Sequence, residues 1–236
     1  DFKRRIAHYE SVYEPMDEDE LSWIKLINTG RRIEINNVHG FLPIRMLQFL
    51  TNIHATSKTI YLTRHGQSEY NALCKIGGDS NISEQGLAYA KKLAVFAEEK
   101  ICKDEDGKPI ACRLWTSSLK RTQQTASFIK HPKLKLKNGG EWIQMSPRVD
   151  RNLDELYAGV CDGMTYKEIE EQNPEEYRRR KEDKLFYRYP RGESYLDVIS
   201  RLDPLVHEME SYREPLLIVG HQVKCTWFGG IQTYCC

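Results

Sequence analysis

The sequence predicts an α/β fold with a mostly parallel central sheet and helices on both faces. Three apolar or β-branched runs have strand length: residues 59–63, 112–116 and 216–220. Between them, apolar residues recur at helical spacing, so that strands and helices alternate. Each run also ends in residues suited to phosphate: R-H-G-Q-S-E-Y-N after the first, S-S-L-K-R-T after the second and H-Q after the third. Open α/β sheets form their ligand crevices at this carboxyl edge.

Taken in order, residues 22–28 and 32–38 read as strands joined through Thr29-Gly30, a hairpin-type turn signal. Pro43 suits the first turn of a helix carrying Ile44, Leu47, Leu50 and Ile53. The strand at 59–63 delivers Arg64 and His65, and Gly66 lets the backbone turn sharply or approach a ligand. A neutral imidazole there is a nucleophile toward phosphorus, and the guanidinium beside it can fork two phosphate oxygens. The loop 74–82 holds Gly77-Gly78, whose backbone N–H groups can bind oxygens beside such a site. Ser83 caps a helix with Leu87, Ala90, Ala94, Ala97 and Ile101 on one face. Residues 103–109 form a charged surface loop, and after the strand at 112–116 Ser117 or Ser118 opens a helix with Arg121 in its first turns. That charge adds to the field of the helix N-terminus, and both favour a phosphate.

Residues 150–159 carry the acids Asp154 and Glu155. Two capping boxes follow, Thr165 with Glu168 and Asn173 with Glu176, the second with Pro174 at the first helical position. In the basic stretch 178–191, Arg180, Lys184 and Arg188 recur every four residues and would share one face of a helix. By itself such a run is most simply a solvated face or a localisation signal. Ser194 starts a last helix with Val198, Leu202, Leu205 and Met209 inward and Pro204 inside it, where a kink is expected. The strand at 216–220 delivers His221 and Gln222.

Hydrophobic residues make up 40% of the 236 and charged residues 29%, which separates the chain from disordered sequences. A net charge of +1 leaves no bulk electrostatic case for nucleic acid, and no apolar run reaches the roughly 20 residues of a membrane helix. Seven cysteines without C-x-x-C spacing argue against a zinc site or a disulfide framework and for a reducing, cytoplasmic setting. No acidic cluster suited to a metal stands out. The chain opens D-F-K-R-R without an initiator Met, as a piece of a longer protein would.

R-H-G-Q-S-E-Y-N, T-S-S-L-K-R-T-Q-Q-T-A, L-D-E-L-Y-A-G-V-C-D-G-M-T-Y-K-E-I and V-G-H-Q, in that order, resemble the histidine phosphatase (phosphoglycerate mutase-like) superfamily. Within it, I-G-G-D-S-N-I-S and R-Y-P-R-G-E-S-Y resemble the bisphosphatase half of the bifunctional 6-phosphofructo-2-kinase/fructose-2,6-bisphosphatases. The resemblance implies a kinase-domain remnant over residues 1–55, a bisphosphatase domain over 56–222 and a divergent tail over 223–236. It implies hydrolysis of the 2-phosphate of fructose-2,6-bisphosphate through a phosphohistidine on His65. Arg64, Arg121, Asn71 and His221 would neutralise the transferring phosphoryl group, with Gly78 beside it. Glu155 would be the proton donor. Tyr166, Arg180, Lys184, Arg188 and Gln222 would hold the 6-phosphate.

No cofactor is expected for this reaction. ATP and Mg²⁺ would belong to the kinase portion, whose G-x-x-x-x-G-K-[ST] loop is absent from this sequence, so no kinase activity is expected of it. A homodimer, where the family forms one, would run through that absent portion. After Gln222 the resemblance stops: the chain reads V-K-C-T-W-F-G-G-I-Q-T-Y-C-C, with Lys224 near an expected basic ligand but out of place. An altered message, by splicing or gene assembly, accounts for such an ending. Two alternatives stay open, an impaired or regulatory fragment and a related phosphomonoesterase or mutase.

Overall fold

A computed structural model describes residues 2–14, 16, 19–28, 32–52, 59–136 and 139–222. The chain divides into two compact units, Asp1–Ser57 and Lys58–Cys236. The first holds helix α1 (Phe2–Val12), strands β1 (Trp23–Ile27) and β2 (Arg32–Asn36), and helix α2 (Phe41–Asn52). The two strands pair antiparallel from Trp23 opposite Asn36 to Ile27 opposite Arg32, so the expected hairpin forms. Its predicted turn at Thr29-Gly30, Ile53 of the second helix, and the tail from residue 223, Lys224 included, lie outside the described residues. Helix α1 carries no residue pattern that the sequence reading assigned.

The second unit contains β3 (Ile60–Arg64), α3 (Glu69–Ala72), α4 (Glu84–Phe96), β4 (Arg113–Thr116), α5 (Lys120–Ala126), β5 (Lys133–Lys135), β6 (Glu141–Ile143), β7 (Pro147–Val149), α6 (Tyr166–Gln172), α7 (Pro174–Glu182), α8 (Tyr195–Ser211) and β8 (Leu216–Gly220). Four strands form the central sheet in the order β3-β8-β4-β7, every pair parallel. The three predicted strands are its three adjacent members, while the short β5–β6 hairpin and β7 were not foreseen.

Side chains alternate across this sheet, as a pleated strand requires. Leu114, Leu217 and Val219 face α4 and α5, packing with Leu93, Ala97, Ile101, Ala126, Ile129 and Met145. Leu62, Trp115, Leu216 and Ile218 face the other way, onto Val198, Leu202, Leu205 and Met209 of α8. Helices therefore cover both faces, and β8 is buried at all five residues. Its continuous apolar run is what a doubly covered parallel strand needs.

Three local expectations are corrected. The buried stripe of α4 runs through Gly86, Ala90 and Leu93 and continues as a π-turn through Ala97 and Ile101; Leu87, about a quarter of a turn off that line, is 40% exposed. Helix α5 takes Leu119 as its cap rather than Ser117 or Ser118. Asn173 occupies the cap position of α7 but its side chain makes no capping bond, and Glu176 binds the Tyr187 hydroxyl and Arg179 instead of reaching back. The Thr165–Glu168 box forms as expected, as does a further one pairing Ser194 with Asp197. Pro204 lies inside α8, which runs unbroken across it. Among the described residues no helix is long and apolar enough to cross a membrane.

Candidate active site

Register brings the two histidines together. Arg64 stands opposite Gly220 in the β3–β8 pair, and the His65 N–H donates to the Gly220 carbonyl at 3.0 Å. The next residue of each strand is a histidine, and the two rings lie edge-on with centroids 5.1 Å apart. His65 is 6% exposed and His221 fully buried. His221 Nε2 is 2.8 Å from the Ser117 hydroxyl, at the carboxyl edge of the neighbouring β4.

Hydrogen bonding sets the His65 tautomer. Nδ1 lies 2.7 Å from the Gly66 carbonyl, which can only accept, so Nδ1 carries the proton. Nε2 accepts from Arg121 Nε at 3.2 Å, so its lone pair points at the guanidinium. Burial is the main cause that lowers the His65 pKa, the bond to the Gly66 carbonyl opposes it, and the charges of Arg121 and Arg64 add to the lowering, which leaves the pKa at about 4. The ring is neutral at physiological pH, which a nucleophile requires.

Arg121 is held from two sides. Its Nη1 donates to the Gly78 carbonyl at 2.6 Å. The Thr125 hydroxyl accepts from the Gly66 N–H at 2.9 Å and donates to the Arg121 carbonyl at 2.6 Å, tying α5 to the R-H-G turn. Burial lowers the Arg121 pKa, opposed by the carboxylates of Glu155, Asp79, Asp162 and Asp154, yet a guanidinium stays charged. Gly66 lies close to backbone: a Cβ there would meet the Gly86 carbonyl oxygen at 2.6 Å. This contact seats the start of α4 on the R-H-G turn.

A cleft of about 550 Å³ opens beside this cluster. Arg64, Asn71, Lys75, Glu155, Tyr166, Arg180, Lys184 and Gln222 line it. The capping box of α3 spends the Asn71 side-chain oxygen on the Ser68 N–H, at 3.1 Å. Its amide N–H groups remain the donors it can offer to a ligand. Arg180 donates to the Tyr166 hydroxyl at 2.8 Å and stacks over its ring at 4.7 Å. The histidine rings do not line the cleft directly; their chain neighbours Arg64 and Gln222 do. A second cleft, of about 680 Å³, shares Gly77, Glu155 and Leu156 with the first and contains Arg121. Glu155 therefore borders both.

Two predicted residues are placed differently. The Gly78 N–H is spent on Asp162 at 3.0 Å, so Gly78 orients Arg121 through its carbonyl instead of offering a donor to a phosphate. Helix α7 ends at Glu182, so Arg180, Lys184 and Arg188 share no helical face. Arg188 bonds the Asp197 carboxylate and the Gly192 carbonyl and is not among the cleft residues. Tyr189 and Tyr195, which belong to the R-Y-P-R-G-E-S-Y stretch but carry no expected role, also line the cleft, and burial raises both phenols. Among the described residues no three His, Cys, Asp or Glu side chains gather as a metal site would need.

The sequence profile of 6-phosphofructo-2-kinase matches residues 1–57. A 6-phosphofructo-2-kinase/fructose-2,6-bisphosphatase of Arabidopsis thaliana is 48% identical over 227 residues, 94% of this chain and 28% of the relative. The fructose-2,6-bisphosphatase of Saccharomyces cerevisiae is 45% identical over 96% of this chain and 47% of its own length. The chain thus spans less than half of either relative. Among solved structures, YhfR of Bacillus stearothermophilus aligns with a TM-score of 0.57 and 26% identity, over 75% of this chain and 82% of that one. A mycobacterial glucosyl-3-phosphoglycerate phosphatase aligns at 0.54 and 26%, over 71% and 77%. The profile of the histidine phosphatase superfamily, branch 1, matches residues 60–228, which take in the parallel sheet and both histidines, and the chain belongs to that superfamily.

Proposed function

We propose that this chain hydrolyses the 2-phosphate of fructose-2,6-bisphosphate, giving fructose 6-phosphate and inorganic phosphate through a phosphohistidine on His65. The observation that carries the reading is a buried, neutral imidazole whose Nε2 lone pair meets a guanidinium beside a cation-lined cleft. The names of the relatives support the choice of substrate.

In the first step the Nε2 lone pair forms an N–P bond in line with the ester, and the P–O bond to the sugar breaks. Glu155 protonates the departing oxygen, because a sugar alkoxide leaves poorly without a proton. Arg64, Arg121, Asn71 and His221 meet the charge spread over the equatorial oxygens, where most of the catalysis of phosphoryl transfer lies. Nδ1–H bonded to Gly66 relieves the charge of the phosphorylated ring. In the second step water attacks phosphorus, its proton passes to Glu155, and the N–P electrons return to Nε2. Tyr166, Arg180, Lys184 and Gln222 hold the 6-phosphate, so binding energy remote from the reaction positions the reacting group. The reaction as written calls for no cofactor. A reducing cytoplasm suits it, given the scattered cysteines.

Brief incubation with substrate radiolabelled at the 2-phosphate, followed by denaturing electrophoresis, tests the proposal. Acid-labile label on the wild type, and none on His65→Ala, is the expected result. A folded wild type that turns over the substrate and never carries label would sink the covalent step. Faster turnover of phosphoglycerates than of fructose-2,6-bisphosphate would sink the substrate.

A further inference from the structure

Arg201, on α8, gives its guanidinium to the loop that carries Glu155. Nη1 donates to the Asn152 carbonyl, and Nη2 donates to the carbonyls of Asp154 at 2.7 Å and Glu155 at 3.3 Å. Nε and Nη2 also fork the Glu193 carboxylate at 2.9 and 3.1 Å. Glu193 in turn accepts the Tyr157 N–H at 3.0 Å, so the fork closes on the far side of the same loop. Residues 152–157 are thus gripped before, at and after Glu155, and the Asp154 carboxylate adds bonds to the Ser118 N–H and hydroxyl, each 2.7 Å. The acid itself spends one oxygen on the adjacent Leu156 N–H, at 3.0 Å. Among the described residues no other hydrogen bond holds its carboxylate, on which the charge of Arg121 also acts, so its place between the two clefts depends on the backbone that Arg201 holds.

We propose that Arg201, clamped by Glu193, is a positioning residue for the proton donor. The inference rests on Glu155 being that donor. A clasp serving only stability would touch all substrates alike; a clasp serving the acid matters in proportion to how badly the leaving group needs a proton. An alkoxide needs it and a dinitrophenolate does not, since the latter departs readily as the anion.

The test measures kcat and KM of wild type, Glu155→Gln, Arg201→Gln and the double variant, with fructose-2,6-bisphosphate and with 2,4-dinitrophenyl phosphate. General acids contribute roughly 10²–10⁴-fold, so Arg201→Gln, which displaces the acid and does not remove it, should cost roughly ten- to a hundredfold in kcat/KM on the sugar ester, the ratio that reports departure of the leaving group and excludes hydrolysis of the shared phosphohistidine. On the aryl ester the loss should stay below about threefold, and adding Arg201→Gln to Glu155→Gln should cost little more on either. Equal losses on the two esters for Arg201→Gln, with Glu155→Gln still selective, would overturn the clamp. A Glu155→Gln variant without selectivity would instead overturn the role of Glu155, and the two failures are distinct. Should Arg201→Gln melt below the assay temperature, Arg201→Lys, which keeps the charge and loses the fork, is read by the same ratio.

Discussion

Burial of a single imidazole links chemistry to stability at the residue scale. His65 has a folded pKa of about 4 against 6.5 when free, chiefly through desolvation. Between these values the unfolded chain binds more protons than the folded one, so stability rises with pH across that window. It is complete above pH 6.5 and lost as pH falls toward 4. The share of His65 is about 3 kcal/mol. Urea midpoints at pH 4.5 and 7 should therefore lie closer together in His65→Gln than in wild type. The same depression keeps the ring nucleophilic in mildly acidic solution, so the acid limb of kcat/KM should not show a group near 6.5 that belongs to His65. In Arg121→Gln one of the charges that depress it is gone, and the ring's titration, followed by NMR, should move up. This histidine was legible from R-H-G at a strand end. The direction of its Nε2 lone pair was not, because that depends on Arg121, 56 positions away in the chain.

Elements decide which residues of a motif can act together. The sequence signals for strands hold because β-branched and apolar runs between breakers have few alternatives; β3, β4 and β8 fall within a residue or two of where they read. Helix registers are less secure. The four-residue repeat of Arg180, Lys184 and Arg188 outlasts its helix, and Asp183 at the end of α7 leaves Arg188 to pair with Asp197 near the start of α8. Accordingly, Arg180→Ala and Lys184→Ala should raise KM for the bisphosphate by roughly tenfold or more, the loss of a charge-assisted contact, and Arg188→Ala by less. Gly78 shows the same dependence on surroundings. It has φ +64°, and a Cβ would meet the Tyr70 ring at 2.3 Å. Gly78→Ala should cost roughly 1–3 kcal/mol in a thermal melt and lower kcat by displacing Arg121.

At the scale of the whole molecule, the cations of the cleft outweigh the net charge. The chain carries only +1, yet Arg64, Lys75, Arg180 and Lys184 line one cavity. Raising ionic strength should raise KM for a doubly phosphorylated sugar more steeply than for a singly phosphorylated one. The sheet beneath is what keeps this edge in register. Leu202, fully buried against it, should cost about 2–5 kcal/mol on truncation to Ala while leaving KM unchanged, as denaturant unfolding and initial rates would show. The local and periodic features were legible along the chain: three strands, the polar residues that end them, the stripe of α8 and the family. Short-range sterics and hydrophobic spacing need no partner to be read. Packing in three dimensions sets His65 and His221 side by side, brings Arg121 to Nε2, spends Gly78 and Arg188 on Asp162 and Asp197, and lets Arg201 hold the loop of Glu155. Those outcomes depend on parallel register and on side-chain bonds, most of them across many tens of residues, for which no spacing in the chain carries a signal.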